Sequence, residues 1–218
     1  MNESTRWWWI RHAPVVVNNG LVYGQVDHPC DCTDEPTFRA LAGILPKDAV
    51  WVTSTLRRTR QTADAIRAHI PELSDDPRAE PDLMEQHFGD RQGIRYDEVR
   101  QASFGEWHRF WSSPLNGRPE GGESFADLMH RVSATISRLS LEHKGRNIIA
   151  VTHGGTIRVA VALALKIEPE AALRLAVDNC SLSRLDLMLG PIGSHDPDER
   201  EFWRVRFVNM SPSCFAKH

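Results

Sequence analysis

The sequence is short of lysine and tyrosine, and it carries no large excess of charge of either sign. Lysine occurs only at Lys47, Lys144, Lys166 and Lys217. With 26 Lys and Arg against 29 Asp and Glu, the formal net charge is -3. No global field therefore draws the chain to nucleic acid or to an anionic membrane surface. Any anion site has to be built locally, and mostly from arginine. No apolar run nears the roughly 20 residues that a membrane span requires; the best stretch is residues 159–165. Residues 1–6 lack a basic region followed by an apolar one, so no secretory signal is read and a cytoplasmic location is expected. The four cysteines, Cys30, Cys32, Cys180 and Cys214, are too few to be the main staple of 218 residues, and in a reducing compartment they stay as thiols. Cys30 and Cys32 flank one residue near His28, but zinc wants four ligands and no second pair follows. No metal and no cofactor are expected. There is no repeat, low-complexity tract or linker.

What is present suits an ordinary globular domain. Hydrophobic residues are 41% and charged residues 25%, within common usage, and the length supports a sizeable core without staples. Residues 7–10 are a short apolar, aromatic run, long enough for a buried strand and too short for a helix. Residues 51–53 and 148–151 read the same way. Thr33-Asp34-Glu35-Pro36 opens a helix. Residues 57–70 form another, stopped by Pro71. Residues 124–141 carry Phe125, Leu128, Met129, Val132, Ile136 and Leu139 at helical spacing, a stripe that core packing explains. Residues 156–165 make an Ala-rich buried helix. Residues 182–189 and 202–208 look like late strands.

Strands alternating with helices predict a three-layer α/β/α sandwich with a mostly parallel central sheet, the last strands pairing antiparallel at an edge. A single domain over 1–218 is expected. Residues 89–122 are irregular and rich in Gly, Pro and aromatics, and are read as an inserted lid segment.

The ends of the strands carry the chemistry. In parallel α/β sheets, ligands bind beyond the carboxyl ends of strands. The first strand ends in Arg11-His12, the second in Ser54-Thr55-Leu56-Arg57-Arg58-Thr59, and the third in Thr152-His153-Gly154. Imidazole and guanidinium groups brought together without a carboxylate ligand set suit a small dianion, and phosphate fits best, because Arg offers it forked, charge-assisted hydrogen bonds. A neutral His can attack phosphorus and hold a phosphoryl group covalently. Glu85, in Leu83-Met84-Glu85, is a candidate acid for the leaving oxygen.

These residues resemble the histidine phosphatase superfamily, the phosphoglycerate mutase-like proteins, over most of the chain. Arg11-His12-Ala13 looks like the family's Arg-His-Gly signature, which implies that His12 is the phosphorylated nucleophile and Arg11 a phosphate clamp. Ser54-Thr55-Leu56-Arg57-Arg58-Thr59 is similar to its Ser-x-Leu-x-Arg-Thr motif, which makes Arg58 the second clamp. Glu85 matches the proton donor, and His153 in Thr152-His153-Gly154-Gly155 the second catalytic histidine. Pro119-Glu120-Gly121-Gly122-Glu123-Ser124 resembles the family's turn before a helix. Asn18, Gly24, Gln25 and Gly154 are implied to contact substrate, and Tyr23-Gly24-Gln25-Val26-Asp27 resembles the α-ribazole phosphatases in particular. Two departures stand out. Ala13 replaces the usual Gly and would be strained at a positive φ. Arg91 stands where phosphatase members often carry Trp, which bears on substrate identity.

The implied activity is metal-independent hydrolysis of a small phosphorylated metabolite through phosphohistidine. A phosphoglycerate mutase-type transfer and a non-catalytic phospho-ligand-binding relative remain open, as do a monomer and a homodimer. Arg57 and Arg60 are read as solvated helix charges. Trp7, Trp8 and Trp9 are read as packing, as are Trp107 and Trp111. His28, His87 and His108 are assigned to the surface, and Asn179 is given no role.

Overall fold

The computed structural model describes residues 4–16, 20–71, 73, 75–95, 97–98, 117–189 and 201–215. Six strands form one sheet: β1 (Ser4–Arg11), β2 (Val50–Thr53), β3 (Arg78–Ala79), β4 (Asn147–Thr152), β5 (Leu182–Leu189) and β6 (Glu201–Met210), in the order β3-β2-β4-β1-β5-β6. The four strands from β3 to β1 run parallel, with Trp7 opposite Ile148 and Trp51 opposite Ile149. β5 pairs antiparallel with β1, and β6 antiparallel with β5. The expected mixed sheet with an antiparallel edge is therefore found. The strand missed is β3, two exposed residues that carry no apolar signal.

The side-chain period of two divides the aromatic strand between the two faces. Trp7 and Trp9 stack at 4.7 Å and pack with Phe125, Leu128, Val132 and Ile136 of α3 (Phe125–Glu142) and Ile157 and Val161 of α4 (Gly154–Leu165). Trp8 and Ile10 face the other way, onto Phe38 and Leu41 of α1 (Glu35–Ile44) and Ala63 and Ile66 of α2 (Arg57–Arg67). The three layers follow from that alternation, and the packing role read for these tryptophans holds. No helix among the described residues is long and apolar enough to cross a membrane.

Helix starts are set by side chains. The Asp34 carboxylate accepts from the Thr37 N–H and opens α1. At α3 the Ser124 hydroxyl accepts from the Asp127 N–H at 3.2 Å, and Asp127 accepts from the Ser124 N–H at 2.8 Å. This reciprocal capping box satisfies two otherwise orphaned donors. Ser124→Ala is expected to lower the unfolding free energy by about 1 kcal/mol, read from the urea midpoint; an unchanged midpoint would remove the cap from the energetics of α3.

The lid reading lies largely outside the described residues, as do Asn18, Trp107, His108 and Trp111. Of its described ends, Gly89–Arg91 forms a 3-10 turn, and the Asp90 N–H donates to the Glu120 carbonyl.

Candidate active site

The carboxyl ends of β1 and β4 bring His12 and His153 together, with ring centroids 5.2 Å apart and edges crossed. Both are buried, at 1% and 0% exposure. The two strands are register partners up to Arg11 and Thr152, and the His12 N–H donates to the Thr152 carbonyl, so each ring leaves its strand at the same level.

One hydrogen bond assigns the chemistry of His12. Its Nδ1 lies 2.7 Å from the carbonyl of Ala13. A carbonyl only accepts, so Nδ1 carries the proton and Nε2 holds the free lone pair. Burial is the main cause that pushes the His12 pKa down to about 3, with Arg58 and Arg11 adding repulsion against the Ala13 carbonyl's opposing pull. Nε2 is therefore a neutral nucleophile across mildly acidic and neutral pH. Ala13 is not among the residues with positive φ, so the Gly-to-Ala departure costs no backbone strain here. Its N–H donates to Thr62 Oγ1 at 2.8 Å.

The guanidinium groups are held by carbonyls, which orient them without neutralising them. Arg58 is fully buried and donates to the carbonyls of Val26 at 2.8 Å and Gly24 at 2.6 Å. Arg11 donates to the Val177 carbonyl at 2.5 Å. Arg58 Nε, Arg11 Nε and His153 Nδ1 are buried and have no hydrogen-bond partner in the protein. Buried polar groups of this kind are normally paired; three around one nucleophile fit a multiply charged oxyanion. The other nitrogen of His153, Nε2, sits 2.8 Å from Ser54 Oγ. Burial, then Arg58 and His12, holds the His153 pKa well below its ordinary value.

Glu85 lies across the N-terminus of α4. Its carboxylate accepts from the Gly155 N–H, with oxygens at 3.1 and 3.2 Å, and from the Gln86 N–H at 3.0 Å. A Cβ built on Gly154 would lie 3.8 Å from Arg11 Nε, 3.9 Å from Glu85 Oε2 and 3.3 Å from an Arg158 nitrogen. His153-Gly154 thus lies between Arg11 and Glu85. Next door, a Cβ on Gly155 would push the Glu85 carboxylate out of this position.

Of the residues expected from sequence, Arg11, His12, Arg58, Glu85, His153 and Gly154 converge here. Gly24 and Gln25 stand one step back. Gly24 uses its carbonyl on Arg58, at a φ of +42°. Gln25 donates to the Glu85 carbonyl at 2.9 Å, so its amide braces the acid. Asn18 lies outside the described residues. Arg57 is exposed and Arg60 pairs with Asp64 and Asp76, as solvated charges should.

Two positioning residues escaped the sequence reading. Asn179 Nδ2 donates to the His12 carbonyl at 2.7 Å. Arg131, on α3 beside the apolar stripe, donates to the carbonyls of Met84 and Glu85 at 2.9 Å each and pairs with Glu123 at 2.7 Å. Both act over long sequence separations, which no local pattern encodes. Among the described residues, no group of three or more His, Cys, Asp or Glu side chains could hold a metal ion.

The two buried imidazoles make stability depend on pH. In the unfolded chain they protonate below about 6.5, whereas in the fold they stay neutral to far lower pH, His12 to about 3. The unfolded state then binds more protons, so stability is full above that ordinary value and falls as pH drops below it. The expected loss is about 1.4 kcal/mol per pH unit for each imidazole. Urea midpoints at pH 7.5 and pH 5 check this; equal midpoints would mean that the rings are not held neutral.

The histidine phosphatase superfamily (branch 1) model matches residues 7–190. A phosphoglycerate mutase-like protein of Arabidopsis thaliana is 36% identical over 107 residues, covering 49% of this chain and 46% of its own. A metal-independent phosphoserine phosphatase of the same plant is 32% identical over 157 residues, covering 68% and 64%. The matches thus span under two thirds of those relatives' own lengths. The crystal structure of the α-ribazole phosphatase from Shigella flexneri shares the fold, with a TM-score of 0.77 over 95% of this chain and 97% of that one at 24% identity. With the family model matched over most of its length, the chain belongs to the histidine phosphatase superfamily.

Proposed function

We propose that the chain is a metal-independent phosphomonoester hydrolase that works through phosphohistidine on a small phosphorylated metabolite of the cytoplasm. The observation that carries this reading is the Nδ1–H bond of His12 to the Ala13 carbonyl, which leaves Nε2 as a neutral nucleophile beside three unpartnered buried nitrogens.

The reaction has two displacements. In the first, His12 Nε2 attacks phosphorus and the bond to the ester oxygen breaks. Glu85, entering as the carboxylic acid, gives its proton to that oxygen and leaves as carboxylate. In the second, the Glu85 carboxylate takes a proton from water as the water oxygen attacks phosphorus. The P–N bond breaks, releasing inorganic phosphate and neutral His12. Arg11, Arg58 and His153 supply fixed donors to the equatorial oxygens, where charge spreads in the transition state. The carbonyl tethers of the two arginines and the Ser54 contact of His153 mean that little reorganisation accompanies the reaction.

The resemblance of residues 23–27 to α-ribazole phosphatases, and the fold shared with one of them, favour α-ribazole 5'-phosphate as the leading substrate. The plant relative named for phosphoserine makes that ester the first competitor. Phosphate release from α-ribazole 5'-phosphate, phosphoserine and 3-phosphoglycerate, each with EDTA present, tests the reading. Hydrolysis that EDTA leaves intact, fastest on the first ester, is expected. Isomer exchange of phosphoglycerate without phosphate release would replace hydrolysis by mutase chemistry. Loss of all turnover in EDTA would overturn the metal-free route. Phosphate binding with no turnover of any ester would leave a binding protein.

A further inference from the structure

Two of the four cysteines, expected from sequence to be incidental thiols, have a defined place. Cys30 and Cys32 point their sulfurs at each other across 3.5 Å. Cys30 is 7% exposed and Cys32 half-buried. The segment that carries them is pinned to the loop after the nucleophile. Cys30 forms a bridge with Val15, and the Asp31 N–H donates to the Pro14 carbonyl at 2.7 Å. Cys30 Sγ also lies 3.3 Å from the Arg58 carbonyl and 3.5 Å from Thr62 Oγ1, the atom that accepts from Ala13 N–H. The thiol pair is thus one residue's reach from both the clamp and the nucleophile loop.

We propose that Cys30 and Cys32 are a modification site, closing to a reversible disulfide when the protein meets hydrogen peroxide. The thiolate of Cys30 attacks one peroxide oxygen. An S–O bond forms, the O–O bond breaks and hydroxide leaves, so that sulfur is oxidised by two electrons and peroxide reduced. Cys32 Sγ then attacks Cys30 Sγ. The S–S bond forms, the S–O bond breaks, and the oxygen departs as water with the proton of Cys32. A dithiol reverses the step by exchange.

Several features of the site favour this order. The hydrogen bond from Cys32 is the main cause that brings the Cys30 pKa down to about 7, against burial and with help from Thr62 and Arg58, while the same bond pushes Cys32 up. Cys30 is thus the more acidic thiol of the pair, and when it ionises the remaining proton sits on Cys32. Cys180 is held as a thiol by burial, its pKa pushed up to about 12. Two residues apart, the Cα atoms can be at most about 7 Å from each other, at the upper edge of the roughly 4.4–6.8 Å that a disulfide accepts.

Trypsin isolates both sulfurs in one peptide, residues 12–39, which has no internal Lys or Arg. Peroxide-treated protein, alkylated and digested, is expected to give this peptide short of two hydrogens and unalkylated. The Cys180 and Cys214 peptides should alkylate as in the untreated protein. Dithiothreitol should restore alkylation. In Cys32→Ser the peptide should instead carry a dimedone adduct at Cys30. The inference is overturned if residues 12–39 alkylate fully after peroxide, or if Cys30 is linked to Cys180. An activity arm rests on the proposed phosphatase reading and the peptide arm does not, so the two can fail separately. Turnover should fall at least about tenfold on closure of the bond and recover with dithiothreitol, while Cys32→Ser starts at wild-type turnover.

Discussion

His12→Ala is expected to lower phosphomonoester hydrolysis by at least about 10⁴-fold. The size follows from what the substitution removes. The Nε2 lone pair is the only attacking atom the proposed route has, and its orientation rests on one bond, from Nδ1 to the Ala13 carbonyl. The neighbouring imidazole does not replace it, because the proposed route uses His153 Nδ1 as a proton-bearing donor to phosphate, while Nε2 is engaged with Ser54. Phosphate binding should survive, since Arg11 and Arg58 are held by the carbonyls of Val177, Val26 and Gly24, none of which depends on His12. The variant should therefore still gain thermal stability from added phosphate while failing to turn over. A variant within tenfold of wild type would mean that the nucleophile is elsewhere.

Glu85→Gln should separate substrates by leaving group. The amide matches the carboxylate in size and can still accept from the Gly155 and Gln86 N–H groups, so the local structure is kept. What is lost is the proton. For an alkyl phosphate, whose alkoxide leaves poorly, the expected loss is roughly 10²- to 10⁴-fold. For p-nitrophenyl phosphate the leaving oxygen needs no proton, so phosphorylation of His12 stays fast and only the second displacement slows. Stopped-flow traces should then show a burst of nitrophenolate matching the enzyme concentration, followed by a slow steady state. Equal losses for alkyl and aryl esters, with no burst, would remove Glu85 from proton transfer to the leaving group.

The legible parts of this protein are those in which a short local pattern carries the physics. The runs at residues 7–10 and 148–151 could only be strands, and the residues just after them had to meet at one edge of a parallel sheet. That reasoning places Arg11, His12, Arg58 and His153 together, and the structure sets the His12 and His153 rings 5.2 Å apart. The concern over Ala13 resolved because the residue does not adopt positive φ, a backbone property that sequence does not report. Asn179 and Arg131 were unreadable for another reason. Asn179 donates across 167 residues to the His12 carbonyl, and Arg131 across 46 to that of Glu85. Their value lies in packing between elements, and an Asn before a strand or an Arg on a helix has many local uses. The resemblance assigns Gly24 and Gln25 to substrate, and the structure adds that the carbonyl of one holds Arg58 and the side-chain amide of the other holds the Glu85 carbonyl. The Cys30-Cys32 spacing was visible, but its closeness to Arg58 required the fold.

The most direct measurement is to trap the covalent intermediate. Enzyme mixed with a ³²P-labelled phosphomonoester, quenched within one turnover and digested, should carry label that is labile to acid and stable to base. That label should lie in the peptide of residues 12–39, which contains His12 as its only histidine besides His28, and fragmentation should assign it to His12. Label that is absent while phosphate is released, or that maps to any residue other than His12, would contradict a phosphohistidine route.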